Sequence, residues 1–164
     1  MGLFGRLFHA GRLPEAIRAE IVAERVLFEA QGVRVALHRS GRVPGAVTTG
    51  GVNVGFGAFA VTDRRVIGSR GRAKWVDVPY DQPPEGGPAT LVLDVKGLHV
   101  LFELDRVDPS THGSMRIDFH QELTEPQLAS FPVRRLSFQV DPQKVVRLFG
   151  SLKKLPASPV PPDG

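Results

Sequence analysis

Basic side chains cluster in two segments of the first half of the chain and are the strongest candidates for chemistry. Guanidinium groups bind phosphate or carboxylate through paired hydrogen bonds, so arginine suits an anion site. One segment is the turn at residues 70–73, and the other is the Gly/Pro-rich stretch at residues 39–51. If both lie on one rim, they form a patch that binds an anion or a partner. This candidate patch consists of Arg39, Arg42, Arg70, Arg72, Lys74 and Trp75.

Trp75 is the aromatic member of this patch and allows two interpretations. An outward-facing Trp beside arginines would be a strong contact residue for a partner. Packing beneath an N-terminal helix is the alternative, and we favour it. Aromatic residues are otherwise sparse among the basic ones, which argues against stacking on nucleic acid bases.

Histidine and carboxylate residues offer a second possible chemistry. Asp118 and His120, two residues apart on a strand, would share a face, and His112 is close in sequence. One carboxylate and two imidazoles can hold a metal ion. The chain has no HxH or HExxH spacing, no GxSxG motif and no phosphate-binding glycine loop. We therefore predict no metal, no cofactor and no catalytic residues, and an enzyme would require those three side chains to converge in a cleft.

The composition indicates a globular chain that can fold without disulfide bonds. Its 164 residues can bury a real core, and the absence of cysteine excludes disulfides and thiolate chemistry. The net charge of +4 hides an asymmetry: residues 1–74 carry 12 Lys/Arg against 5 Asp/Glu, and residues 75–150 carry 7 against 11. Such a charge distribution can favour an anionic surface or an acidic partner, but a mixed solvated surface is the interpretation that we favour.

Apolar residues alternate with period two through most of the chain, which predicts a mainly β fold of about seven strands. The first strand, kinked near Gly32, starts at Val26, and the composition of residues 39–51 predicts a turn-rich loop. Residues 56–78 form a meander with turns at 62–65 and 70–73. Two glycines on one face of the strand at 52–62 permit curvature or close backbone approach.

The two ends of the chain differ from this β region. Residues 1–24 are predicted to form a helical appendage, with Leu3, Phe4, Leu7 and Phe8 on one face of a first turn or two and a second helix over 14–24. Residues 25–152 form the main domain, and residues 153–164 form a Pro-rich extended tail. Asp141 and Pro142 mark the start of a C-terminal amphipathic helix.

The hairpin Ala60-Val61-Thr62-Asp63-Arg64-Arg65-Val66-Ile67 and the capped helix at 141–149 resemble bacterial members of the pleckstrin-homology-like (PH-like, GRAM-type) superfamily, of an actinobacterial type. The resemblance covers about residues 26–149. It implies a seven-stranded bent antiparallel sheet, or incomplete barrel, with a C-terminal helix closing one corner. Eukaryotic relatives often bind phosphoinositides through Lys or Arg on the first hairpin. Residues 52–62 contain neither, which argues against that ligand.

The resemblance implies a non-catalytic binding or scaffolding module. We expect it to contact a protein partner or an anionic membrane surface through the basic rim, in the cytoplasm or peripherally at the membrane. No apolar run in the sequence approaches a membrane span. The alternative is a lipocalin-like barrel with an interior pocket for a small apolar ligand. The C-terminal helix discriminates between them, because a helix that plugs the barrel leaves no cavity. The oligomeric state stays open.

Overall fold

The structure is a computed structural model that describes residues 11–150, except for the side chain of Thr49. The predictions for residues 3–9 and for the tail at 153–164 lie outside the described residues. The helices are α1 (Glu15–Ile21), α2 (Glu125–Ala129) and α3 (Pro142–Gly150), and a 3-10 turn covers Leu104–Arg106. The strands are β1 (Val26–Val43), β2 (Ala46–Thr62), β3 (Arg65–Arg70), β4 (Ala73–Pro79), β5 (Ala89–Asp94), β6 (Gly97–Glu103), β7 (His112–His120) and β8 (Arg135–Phe138).

All strands within residues 11–150 belong to one antiparallel sheet that curls into a half-barrel. Their spatial order is β4-β3-β2-β1-β7-β6-β5-β8, so β4 and β8 are the two edges. The prediction of a mainly β fold with a C-terminal helix is confirmed. The predicted count of about seven strands is one short of the eight in the sheet.

The predicted loop at residues 39–51 is wrong, because β1 and β2 continue through it as paired strands, with β7 on the other side of β1 as far as Arg42. Their pairing extends to Val43 opposite Ala46, and only Pro44 and Gly45 form the turn. Gly45 adopts a φ of +83°, which a side chain would oppose. Glycine residues are typical of loops, but those in this segment form a hairpin turn and an irregularity in the register of two paired strands.

The concave face of the sheet carries the main core. Phe59 and Phe119 are fully buried there, with ring centroids 5.9 Å apart in an edge-to-face arrangement. Val145 and Phe149 of α3 join this core, so the helix covers the concave side. Asp141 begins α3 as predicted, since its Oδ1 accepts a hydrogen bond of 2.9 Å from the Gln143 amide.

The convex face is covered in part by α1. Leu13, Ile17 and Ile21 pack on Ala58 and Ala60 of β2 and on Ile67 of β3 in a second apolar cluster. The small alanine side chains let the helix approach the sheet closely. Within residues 11–150, no helix is both long enough and apolar enough to cross a membrane.

Candidate functional site

A groove of about 540 Å³ lies where the half-barrel is open, between the edge strands β4 and β8 and beside α3. Its apolar surface comes from four elements, because two sheet edges, an inner strand and the helix meet there. The apolar side chains lining it include Trp75, Val100, Phe102, Phe138, Val140 and Leu148. A concave surface of this size with an apolar floor is typical of a binding site.

Trp75 faces the groove because of a bulge in β4. Val76 lies opposite Gly68 and Lys74 opposite Ser69, which leaves Trp75 as the extra residue of the strand. Trp75 is half-buried and packs against the main core, whereas the cluster beneath α1 does not include it. The favoured expectation that Trp75 packs under the N-terminal helix is therefore replaced by a position at the groove.

Arg70 lies directly over Trp75, with its guanidinium carbon 5.1 Å from the ring centroid. Its Nη2 donates a 2.7 Å hydrogen bond to Asn53 Oδ1. The residue is only partly exposed, and burial lowers the pKa of Arg70 from its ordinary value. A guanidinium stays charged despite such a shift, so the structure fixes a cation at the edge of an aromatic surface.

Gly55 makes room for this cation. A Cβ at that position would lie 2.7 Å from Arg70 Nη2 and would meet Nε at a still shorter distance. The sequence predicted that glycines on this strand permit close approach, and the group that approaches is a side chain of β3.

Gly55→Ala should displace the Arg70 guanidinium from Trp75, because the new methyl group would occupy its place. Trp75 is the single tryptophan, so its fluorescence reports the contact directly. We expect the emission of Gly55→Ala to match that of Arg70→Ala. Gly51→Ala is the matched control on the same strand, since its Cβ would meet only Thr48 Oγ1 at 3.6 Å. Wild-type emission from Gly55→Ala would contradict the steric argument.

Arg39 lies apart from Arg70, against the end of α3. Its guanidinium donates to the Phe149 carbonyl and stands 5.4 Å from the centroid of the Phe149 ring. On β2, Gly51 is opposite Arg39 and Gly57 is opposite Arg70, a separation of roughly 20 Å along the strand. The two predicted halves of the patch are therefore separated along β2 and engage different groups.

The remaining basic residues of the predicted patch are also distributed. Lys74 lines the groove at the β4 edge, but its Nζ pairs with Glu20 at 3.2 Å and with Asp77 at 3.0 Å. Arg42 is exposed near the end of β1 and Arg72 is exposed in the β3–β4 turn. Of the six residues, Lys74 and Trp75 thus line the groove, and Arg70 lies over the Trp75 ring.

Sequence reasoning missed three polar residues of the site. Lys144 and Arg147 of α3 line the groove, and Asn53 holds Arg70. The spacing of Lys144 and Arg147, three apart beside the apolar stripe of α3, was visible in the sequence. Whether Lys144 and Arg147 line the groove depends on where α3 packs against the sheet, and the sequence pattern does not show that position.

His112, Asp118 and His120, which an enzyme would require in one cleft, do not converge. His112 Nδ1 lies 3.3 Å from Asp105 Oδ1, and His120 is exposed at the end of β7. Within residues 11–150, no three His, Cys, Asp or Glu side chains are arranged to hold a metal ion.

Asp118 is instead the buried centre of a charged network on the convex face. It is 5% exposed and accepts hydrogen bonds from His99 Nδ1 at 2.7 Å and from Arg116 Nε at 2.9 Å, while His38 Nε2 lies 3.1 Å away. His99 Nε2 also contacts Asp94 Oδ1 at 2.9 Å. Because both His99 nitrogens face carboxylate oxygens, the imidazole is held as the cation.

The pKa directions agree with this charge assignment. The hydrogen bond to Asp118 raises the pKa of His99, and Asp94 adds to it, so that together they outweigh burial. Burial pushes the pKa of Asp118 upward. The hydrogen bond from His99 and the charge of Arg116 outweigh it, and the pKa lies below its ordinary value. The network is a set of compensated charges.

Comparisons of the chain with protein-family models, with curated proteins and with solved structures found no match. The functional interpretation consequently depends on the geometry of the groove.

Proposed function

We propose that this protein is a non-catalytic binding module that holds an acidic segment of a protein partner in the groove between β4 and α3. The observation that carries the proposal is the Arg70 guanidinium, which Asn53 holds over the half-buried Trp75 ring. Tryptophan and arginine are enriched among the residues that contribute most to binding at protein interfaces.

The charge around the groove supports an anionic partner. Lys144 and Arg147 stand on α3 along one side, and the apolar floor would receive an apolar side chain of the same segment. Asp77 and Asp141 also line the groove, so the cationic side chains provide orientation as well as attraction. A concave groove suits a peptide segment better than a flat membrane surface, which could not reach Trp75.

A PH-like relationship is part of this proposal. Its support is the curled antiparallel sheet with a C-terminal helix beside the gap between its edges. The helix α3 buries Val145 and Phe149 in the core, which is the position expected of a helix that plugs the open corner.

A small apolar ligand in the same groove is the second candidate. Phe59, Phe119 and Phe149 fill the concave interior, so a lipocalin-like central pocket has no support. The groove volume of about 540 Å³ lies within the usual range for small-molecule sites, and this observation keeps the alternative.

Arg70→Ala and Trp75→Ala should each weaken binding of acidic peptides about tenfold or more, since each removes half of the anchor. The probe is an array of fluorescein-labelled 12-residue peptides that combine Asp or Glu with one Leu or Phe, titrated by anisotropy. Arg72→Ala is the matched control, because it removes the same charge from an exposed position in the adjacent turn.

Equal losses of peptide affinity for Arg70→Ala and Arg72→Ala would show that only the net charge matters. That result would contradict the proposed role of Arg70 as part of an anchor. Binding to phosphatidylserine vesicles without any peptide binding would replace the peptide partner by a membrane surface. A wild-type protein that carries an apolar small molecule displaced by Trp75→Ala would favour the second candidate.

A further inference from the structure

An apolar row on the convex face of β2, which no other described residue covers, is the feature that the groove does not explain. Val52, Val54 and Phe56 alternate along the strand and are 60%, 44% and 57% exposed. The next two residues of the same face, Ala58 and Ala60, are fully buried by α1. We call residues 52, 54 and 56 the outer row. The convex face of β2 is thus half covered, and its larger side chains are the exposed ones.

Gly11, the first described residue, lies at the boundary between the covered half and the exposed half of the convex face of β2. The Gly11 carbonyl accepts a hydrogen bond from the Gly32 amide, and a Cβ on Gly11 would clash with the Gly32 backbone. Gly32 precedes Val33, which pairs with Gly57, so Gly11 is fixed beside the end of the outer row.

The helix α1 leaves this boundary in the direction away from the outer row. It follows β2 toward its C-terminal end, where Glu24 accepts a 2.7 Å hydrogen bond from Thr62 and the Arg25 amide donates to Asp63. The path of α1, extended backward beyond Gly11, leads over Phe56, Val54 and Val52.

The residues before Gly11 have a matching length and pattern. The outer row spans about 13 Å at the rise of a β-strand. Residues 3–8 would cover about 9 Å as a helix and about 20 Å when extended, so the outer row is within their reach. Leu3, Phe4, Leu7 and Phe8 supply apolar side chains at a spacing that places them on one face.

We propose that residues 3–8 of this chain cover the outer row, with their leucine and phenylalanine side chains against Val52, Val54 and Phe56. Attachment at Gly11 gives this segment an effective concentration in the millimolar range, which favours it over a separate molecule. Burying the three outer-row side chains stabilises this contact. The free energy gained in this way must exceed the free-energy cost of the conformational entropy that the segment loses on ordering. The proposal concerns the opposite face from the groove and does not depend on peptide binding there.

Cysteine cross-linking in the full chain tests this placement, because the sequence contains no natural cysteine. A protein with Leu7→Cys and Val54→Cys, treated with a short bismaleimide at low micromolar concentration, should form a cross-link within one chain. The control pair is Leu7→Cys with Val95→Cys. Val95 has a similar exposure of 48% but follows β5, several strands away in the sheet. We expect at least a tenfold faster intramolecular reaction for the first pair.

A second measurement uses the single substitution Val54→Cys and its rate of maleimide labelling. Adding Phe4→Ser and Phe8→Ser should raise that rate several-fold, and the labelling rate of the Val95→Cys protein should stay unchanged.

Equal cross-linking of the two pairs would overturn the proposal. Cross-links only between two chains would assign the outer row to a second copy. Protection of the thiol introduced by Val54→Cys only on adding phosphatidylserine vesicles would assign the row to a membrane. Both of these results also overturn the proposal.

Discussion

Phe149→Ala should lower the free energy of unfolding by about 4 kcal/mol, the largest effect that we expect from a single substitution. The ring is fully buried between α3 and the concave face of the sheet. Removing it leaves a cavity, and it also deprives the Arg39 guanidinium of the aromatic face on which it stands. Urea unfolding followed by circular dichroism gives the free energy, provided that the slope with urea is unchanged.

Leu148→Ala is the control for the Phe149 substitution. Leu148 is the adjacent residue of α3, but it is half-buried at the groove and should cost about 1–2 kcal/mol. A loss for Phe149→Ala no greater than that for Leu148→Ala would show that α3 does not belong to the core. In that case the groove between β4 and α3 would lose its structural basis.

Asp118→Ala should cost about 3 kcal/mol, because it leaves the His99 cation with one of its two carboxylates removed. The Asp118 side chain is 7% exposed and His99 is 16% exposed, so water replaces the lost hydrogen bond poorly. Arg116 and His38 are more exposed, so water can solvate them after the substitution. The expected loss in the free energy of unfolding is therefore at the lower end of the range for breaking a buried ion pair.

The same substitution should change how stability depends on pH. The pKa of His99 is raised above its ordinary 6.5, so its contribution is complete below pH 6.5 and is lost as the pH rises through the raised value. The pKa of Asp118 is lowered below its ordinary 3.8, so its contribution is complete above pH 3.8 and is lost as the pH falls through the lowered value. The network therefore contributes most between about pH 4 and 6.5.

Urea unfolding at pH 5.5 and pH 8.5 checks this dependence. In the wild type, the contribution of His99 to the free energy of unfolding decreases from pH 5.5 to pH 8.5. In Asp118→Ala this decrease should be smaller. His38→Ala is the control, because it removes an outer contact of Asp118 and leaves the pair with His99 intact. A pH dependence that is identical in the wild type and Asp118→Ala would contradict the charged state assigned to His99.

Most of the strands could be predicted because their signal is local. The alternation in β5, β6 and β7 places successive side chains on opposite faces, and one of those faces is the core. The start of α3 was equally local, since Asp141 caps a helix whose first residue is Pro142. The prediction for residues 39–51 failed because glycine signals both loops and irregular strands, and only pairing with β7 distinguishes them.

The candidate site could be predicted in part. The β3–β4 turn places Arg70 and Trp75 close together in the sequence, so a basic and aromatic pair could be expected there. The bulge at Trp75 and the space over Gly55 could not, because each depends on an atom of a neighbouring strand. The convex network escaped prediction for the same reason, since His38, His99 and Asp118 come from three different strands.

The sequence by itself determined the mainly β character of the chain, the capped C-terminal helix, and the absence of thiol chemistry. These properties follow from residue type and from spacing over a few positions. Only the tertiary structure decided which basic residues meet the groove. Arg39 is held by a carbonyl 110 residues away in α3, and Lys74 is neutralised by Glu20 across 54 residues. Contacts of that range depend on how the sheet curls and where helices dock, so no local pattern encodes which cations remain available to a partner.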